Sequence, residues 1–192
     1  MHMLFNFMEV LLLKKENCRE ELKFILSDVI DWLKFAEAKN VGLITLNLAL
    51  IAINFDLLSN PIFKTFKILI YFMILFNLSS LSVCVLSFYP QVANLKILKK
   101  LLDKYISVSN NDNLLFYRVI ASFNKQNYIN KLKDKYMGDQ GENFIVSIFD
   151  IDLCDQIVEI AKLCCAKYYL FGIGIKLLIL PLIIIVAMIV VA

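Results

Sequence analysis

Histidine is almost absent from this chain: the single one, His2, sits beside the start methionine. That removes histidine-based nucleophilic and metal chemistry, because both need an imidazole held inside a fold. Cysteine pairing of the CxxC kind is also missing. Cys18, Cys84, Cys154 and the neighbours Cys164 and Cys165 are odd in number, and Cys84 falls in a candidate membrane span, which argues against a disulfide framework. An excess of one charge is lacking too. With 20 basic and 17 acidic residues the net charge is +3, so binding nucleic acid by bulk electrostatics has little support. No strand-like alternation of useful length, internal repeat or low-complexity tract occurs.

What fills the chain is apolar. Of the 192 residues 60% are hydrophobic, against roughly 45–50% in soluble domains, and the mean hydropathy is +0.71. This speaks against an ordinary soluble enzyme and for an all-α membrane protein. A spanning helix needs about 20 mostly apolar residues, and three stretches approach that. The first is 41–58, interrupted by Asn47, Asn54 and Asp56; the second is 68–89, without a charge; the third is 168–192, with Lys176 near its start. Starting the third span after Lys176 leaves sixteen residues, so the longer span with a snorkelling lysine is preferred. Pro181 interrupts it and can kink it.

The opening MHMLFNFMEVLLLKKE lacks the basic region and small-residue cleavage site of a signal peptide. Six Lys or Arg precede Val41, two lie near the link between the first two spans, and eleven lie between Tyr89 and Tyr168. By the positive-inside rule the N-terminus and residues 91–167 are expected in the cytoplasm, with the turn around Pro61 and the C-terminus outside. The expected division is therefore a cytoplasmic amphipathic helix (1–40), a transmembrane hairpin (41–90), a cytoplasmic helical module (91–167) and a third transmembrane helix (168–192).

Helical spacing of Leu22, Ile25, Leu26, Val29, Leu33 and Ala36 predicts an amphipathic helix that leads into the first span; packing on other cytoplasmic helices is preferred to lying flat on the membrane, which usually calls for a more basic polar face. After Pro90, residues 93–106 and 114–136 read as helices separated by the turn-rich 107–113. The MGDQGE break precedes a long helix from about Asn143, whose inner face carries Ile151, Cys154, Ile157, Ala161, Cys164 and Tyr168 and which runs straight into the last span. Those cysteines read as packing residues.

No catalytic set emerges. Asp150, Asp152, Asp155 and Glu159 resemble a metal cluster only on paper, since Asp150 and Asp152 point about 200° apart on a helix. Gly172-Ile-Gly174 follows a helix rather than a strand and reads as small residues for close helix approach. Polar groups inside the spans say more. Asn77, Ser80, Cys84 and Ser87 form one stripe, and Asn47 and Asn54, seven apart, share a face. With Lys176 they make a polar seam that either packs the helices together or lines a pore in a homo-oligomer.

The order of parts resembles the Pycsar transmembrane effectors of cyclic-nucleotide antiphage defence, over about residues 28–192. The resemblance rests on Ala36-Glu37-Ala38-Lys39 followed by VGLITLN, on Pro90 after the second span, on Leu114 to Ala121, and on Asp155-Gln156-Ile157, Ala161 and Lys167-Tyr168. The chain departs from the family pattern at Gln91, where a basic residue is usual, and at Tyr117 and Arg118, where glycine and an acid are usual. The resemblance implies a non-enzymatic effector of the bacterial inner membrane. A companion cyclase would supply a cyclic mononucleotide such as cyclic CMP or cyclic UMP, and the effector would impair the membrane and end the infected cell. It places a ligand near Lys39, Gln156 and Lys167, with the lysines on a phosphate and Gln156 on a base edge, and couples it along 143–192. A ligand-independent toxin or holin-like protein, or an accessory subunit docking another protein, are the alternatives.

Overall fold

A computed structural model describes residues 2–89, 92–94, 96–106, 113–137 and 147–191, with side chains outside the description at 2–18, 94, 96, 97, 137 and 191. The expected breaks at 107–112 and 138–142, the helix start near Asn143, and Pro90 and Gln91 thus fall outside the described residues, as does the side chain of Cys18.

The described residues form helices and turns, with no strand among them. Six α-helices follow in order: α1 (His2–Ser59), α2 (Lys67–Leu86), α3 (Lys96–Ile106), α4 (Tyr117–Ile120), α5 (Lys125–Leu132) and α6 (Ile148–Val191). The amphipathic helix and the first span are one rod, because nothing between them breaks the backbone ladder. Asn60 ends the rod: its side chain accepts from the Ile62 amide at 3.0 Å, and Pro61 opens a 3₁₀ turn (Pro61–Phe66) that leads into α2.

The helix expected over 114–136 is broken. Apolar spacing continues through it, but Asn124 turns its side chain onto the Asn127 amide at 2.8 Å and starts α5 afresh. The turn of α5 then loosens to a π-helical segment over Lys133–Met137.

Two compact units divide the chain: Met1–Leu33 with Lys100–Cys165, and Lys34–Lys99 with Ala166–Ala192. The first unit buries Leu22, Ile25 and Val29 of α1, Tyr128, Ile129 and Leu132 of α5, and the Cys154, Ile157, Ala161 and Cys164 face of α6. The Leu114–Ala121 segment docks on α1 through aromatic rings. Trp32 meets Tyr117 at 5.5 Å and Phe116 edge-on at 6.3 Å. Arg118 donates to the Tyr105 carbonyl and lies 4.0 Å over its ring, so it serves the open C-terminal end of α3. Tyr128, wholly buried, donates to the Leu114 carbonyl at 2.9 Å.

The second unit is built inside out. Buried positions are Ile70, Met73, Asn77, Ser80 and Cys84 on α2 and Ser87 just beyond its end, alternating by three and four as in a coiled-coil seam. Large apolar side chains such as Leu48, Phe55, Phe72, Leu75, Ile183 and Val186 are left exposed instead. Polar groups within and hydrocarbon without is the arrangement lipid selects. Three helical stretches are long and apolar enough to cross a bilayer, in Arg19–Ser59, Pro61–Leu86 and Ile148–Val190, and the chain is an all-α membrane protein.

Candidate functional site

Three asparagines of α1, Asn40, Asn47 and Asn54, recur every seven residues and are completely buried. A seven-residue repeat returns to nearly the same helix face, so one stripe of amides runs down the second unit. At its centre the stripe closes a hydrogen-bond chain through all three helices. Asn47 Nδ2 donates to the Leu43 carbonyl at 2.8 Å and to Ser80 Oγ at 3.0 Å, and Ser80 Oγ donates to the Gly174 carbonyl at 2.8 Å. Ser87 bonds back to the Cys84 carbonyl at 2.7 Å.

Gly174 makes this chain reachable. A Cβ there would lie 2.9 Å from Cys84 Sγ and 3.0 Å from a Leu43 methyl, whereas one at Gly172 would meet nothing within 4 Å. Of the two glycines, only Gly174 stands at a close helix approach. Further along, both amide atoms of Asn54 and of Asn77 are buried without a hydrogen-bonding partner among the described residues. Lys176 is exposed and stands apart from the seam. Two residues beyond Gly174 it is turned about 200° around α6, away from the buried face, where its stem can carry the charge toward an interface.

One turn or two from the seam, α1 and α6 form a lysine and aromatic cluster. Lys167, only 5% exposed, pairs with Glu37 at 2.8 Å and lies 5.4 Å over the Phe88 ring. Lys39 lies over three rings, Phe35 at 4.4 Å, Tyr168 at 5.2 Å and Phe171 at 5.7 Å. Asn40 bridges the same place, donating to the Ala36 carbonyl at 3.0 Å and more weakly to that of Lys167 at 3.4 Å. A buried ammonium is tolerated only with such partners. The fold brings Lys39 and Lys167 together, while Gln156 is exposed on α6 in the first unit.

In the first unit the acidic run does structural work at its head. Asp150 and Ser147 form a reciprocal cap of α6: Asp150 accepts from the Ser147 amide at 3.0 Å and from its hydroxyl, and Ser147 Oγ accepts from the Asp150 amide at 3.2 Å. Arg19 stands 3.5 Å from the other carboxylate oxygen and over the Phe149 ring. Burial works to raise the Asp150 pKa, but the Ser147 hydroxyl and amide and the Arg19 charge outweigh it and hold the carboxyl below its ordinary value of 3.8. A carboxyl with a depressed folded pKa contributes stability above the unfolded pKa, and that contribution is lost as pH falls through the folded value. The melting temperature of the full chain in detergent should therefore drop as pH is taken from about 5 to below 4, and Asp150→Asn should flatten that limb while costing about 1 kcal/mol at neutral pH. An unchanged limb in the variant would remove Asp150 from this role. Lys125 and Asp155, 3.4 Å apart and both half exposed, contribute little. Cys165 is pushed up to about 12 by burial, against the pull of the Arg118 charge.

Neither a curated protein nor a solved structure matches the chain. The Pycsar effector protein domain matches residues 21–192, a span that takes in the second unit, most of the first, the asparagine stripe and the lysine cluster. With all but its first twenty residues covered by that match, the chain belongs to the Pycsar effector family of antiphage defence.

Proposed function

We propose that this membrane effector senses a cyclic pyrimidine mononucleotide, cyclic CMP or cyclic UMP, made by a companion cyclase, and then impairs the inner membrane so that the infected cell stops before phage are released. The observation that carries the reading is the family match across residues 21–192, which includes all of α6. That helix runs unbroken for 44 residues and belongs in part to each unit. A nucleotide held by cytoplasmic helices would act on the spans through α6, and only to the extent that it binds the active arrangement better than the quiet one. Lys39, Gln156 and Lys167 are the first set to test as its ligands. The basic residues of 1–40 and 91–167 support a cytoplasmic placement of both segments. In the quiet state the polar seam faces inward and is partly hydrogen-bonded; rearrangement among copies of the chain, as a homo-oligomer, would present it to water.

The test is dye entry into cells expressing the chain with and without a co-expressed pyrimidine cyclase. Entry only with the cyclase is expected. Entry without it would mean an autonomous toxin, and no entry in either case would favour an accessory subunit.

A further inference from the structure

Lys176 lies deeper in the bilayer than its place near the start of the third span suggests. The contacts of the second unit set its level. At one end Asn40 of α1 reaches the Lys167 carbonyl of α6. At the other, Met188 packs with Ile70 and Met73, just past Lys67 at the head of α2. Lys176 comes nine residues after Lys167 and twelve before Met188, so at about 1.5 Å per residue it stands about 14 Å from the first level and about 18 Å from the second. The hydrocarbon of a bilayer is about 30 Å thick, which puts Lys176 near its middle. A four-carbon stem reaches about 6 Å, so leaning toward the Lys167 end still leaves the ammonium inside the hydrocarbon. Among the described residues no carboxylate pairs with it.

The face that carries it is spaced for helix packing. Lys176, Ile179, Ile183, Val186 and Val190 are all exposed, at intervals of three, four, three and four. That is the a and d pattern of a coiled-coil seam, on the side of α6 opposite Gly174. Lipid covers the four apolar side chains well, but it cannot cover the lysine, because a charge at the centre of a bilayer is among the costliest placements a side chain can have. The other two spans make no such demand. Residues 68–89 hold no charge, and Asp56 of the first span lies sixteen residues beyond Asn40, about 24 Å, close to the far end. A second copy of the chain is the occupant that answers it. Copies inserted in the same direction bring the same face together in parallel, and a lysine at a single a position among apolar neighbours fixes register at a cost in stability. Isoleucine at both a and d, here Ile183 and Ile179, favours three or more strands over two, which leaves room on the axis for water.

We propose that copies of this chain pack through the Lys176 to Val190 face of α6, and that their lysines converge on a small water-filled cavity that holds an inorganic anion. Converging ammonium groups repel one another in hydrocarbon, and water with an anion such as chloride on the axis offsets that repulsion. The inference deepens the homo-oligomer of the reading above by naming its contact face, and it rests on that reading for nothing else, since it concerns the chain without nucleotide.

Oxidative cross-linking and thiol labelling, in membranes from cells that express the full chain without a cyclase, test it. Wild type, with its own five cysteines, sets the background. Val186→Cys should cross-link into dimers, whereas Leu75→Cys, exposed on α2, should stay at background. Ile183→Cys takes the place of Val186→Cys if that variant accumulates poorly in the membrane. In Ile179→Cys, one turn from Lys176, the anionic ethylsulfonate methanethiosulfonate should react about tenfold faster than the cationic trimethylammonium one, and adding Lys176→Gln should erase the difference. Cross-linking of Val186→Cys and Ile183→Cys no stronger than that of Leu75→Cys would overturn the contact. Cross-linking with Ile179→Cys inert to both reagents would overturn the cavity, and equal rates would overturn its preference for anions. Cross-linking and labelling as expected, with no dye entry under cyclase co-expression, would overturn the membrane-impairing reading and leave the assembly standing.

Discussion

Gly174→Ala should destabilise the second unit by about 1–3 kcal/mol, the range for forcing extra atoms into a packed interior. The added Cβ would sit 2.9 Å from Cys84 Sγ and 3.0 Å from Leu43 Cδ2, and neither side chain is long enough to swing clear. Separating the helices to make room would stretch the Ser80 to Gly174 hydrogen bond, now 2.8 Å, and with it the link to Asn47. Gly174→Val, with two more methyl groups, should cost more and lose the quiet state. The comparison is Gly172→Ala, where a Cβ meets nothing within 4 Å. There the helix-favouring effect of alanine predominates, and stability should hold or rise by up to about 1 kcal/mol. Cys84→Ala removes the nearer obstacle, so Gly174→Ala should cost distinctly less in that background, a coupling a double-mutant cycle reads directly. Thermal unfolding in detergent measures each of these variants, with Cys84→Ala alone completing the cycle. Equal effects at 172 and 174, or no coupling to Cys84, would mean that the helices do not meet closely at Gly174.

The spans were legible in the sequence because composition alone decides them: no soluble core requires long runs such as 68–89 without a charge. The stripe on α2 was legible for a related reason, since polar residues at three and four spacing in an apolar helix must share a face. Asn40 was missed. It lies at the end of the amphipathic stretch, where an asparagine looks like an ordinary boundary residue, and only the continuous α1 shows that it belongs with Asn47 and Asn54. Local chemistry hid the break before α5, because Ile120, Tyr128 and Leu132 keep a helical rhythm across a turn set by one side chain, Asn124. Lys39 and Lys167 were visible as basic residues, but their partners were not. Which rings surround an ammonium depends on α1 and α6 lying side by side, a contact between residues more than a hundred positions apart. An open cavity lined by Glu21 of α1 and Tyr136 after α5 was invisible for the same reason, as the two are brought together only by the fold.

Under the proposed function, replacing Asn54 and Asn77 together by leucine should stabilise the quiet state and suppress membrane damage. Each amide is fully buried and meets no hydrogen-bonding partner among the described residues, a situation that costs about 1–3 kcal/mol per unmade group. Leucine removes that cost and adds apolar contact in its place; valine serves if leucine overpacks. Pro181, buried in α6, adds to the imbalance, because it has no N–H to give the carbonyl four residues back. Two asparagines and a helix-breaking proline make the closed seam an arrangement with polar groups still to satisfy. An active arrangement that gives those amides water or each other as partners gains what the quiet one lacks. A shift of about 2 kcal/mol toward the quiet state corresponds to roughly thirtyfold in the ratio of the two, so dye entry under cyclase co-expression should fall sharply while expression and melting temperature rise. Ser79→Ala, exposed on α2 and bonded only within its own helix turn, should change neither readout. A lower melting temperature in the asparagine double variant would mean that the amides are satisfied within the closed bundle. Undiminished dye entry with raised stability would mean that they take no part in opening it, and that the activating motion lies elsewhere along α6.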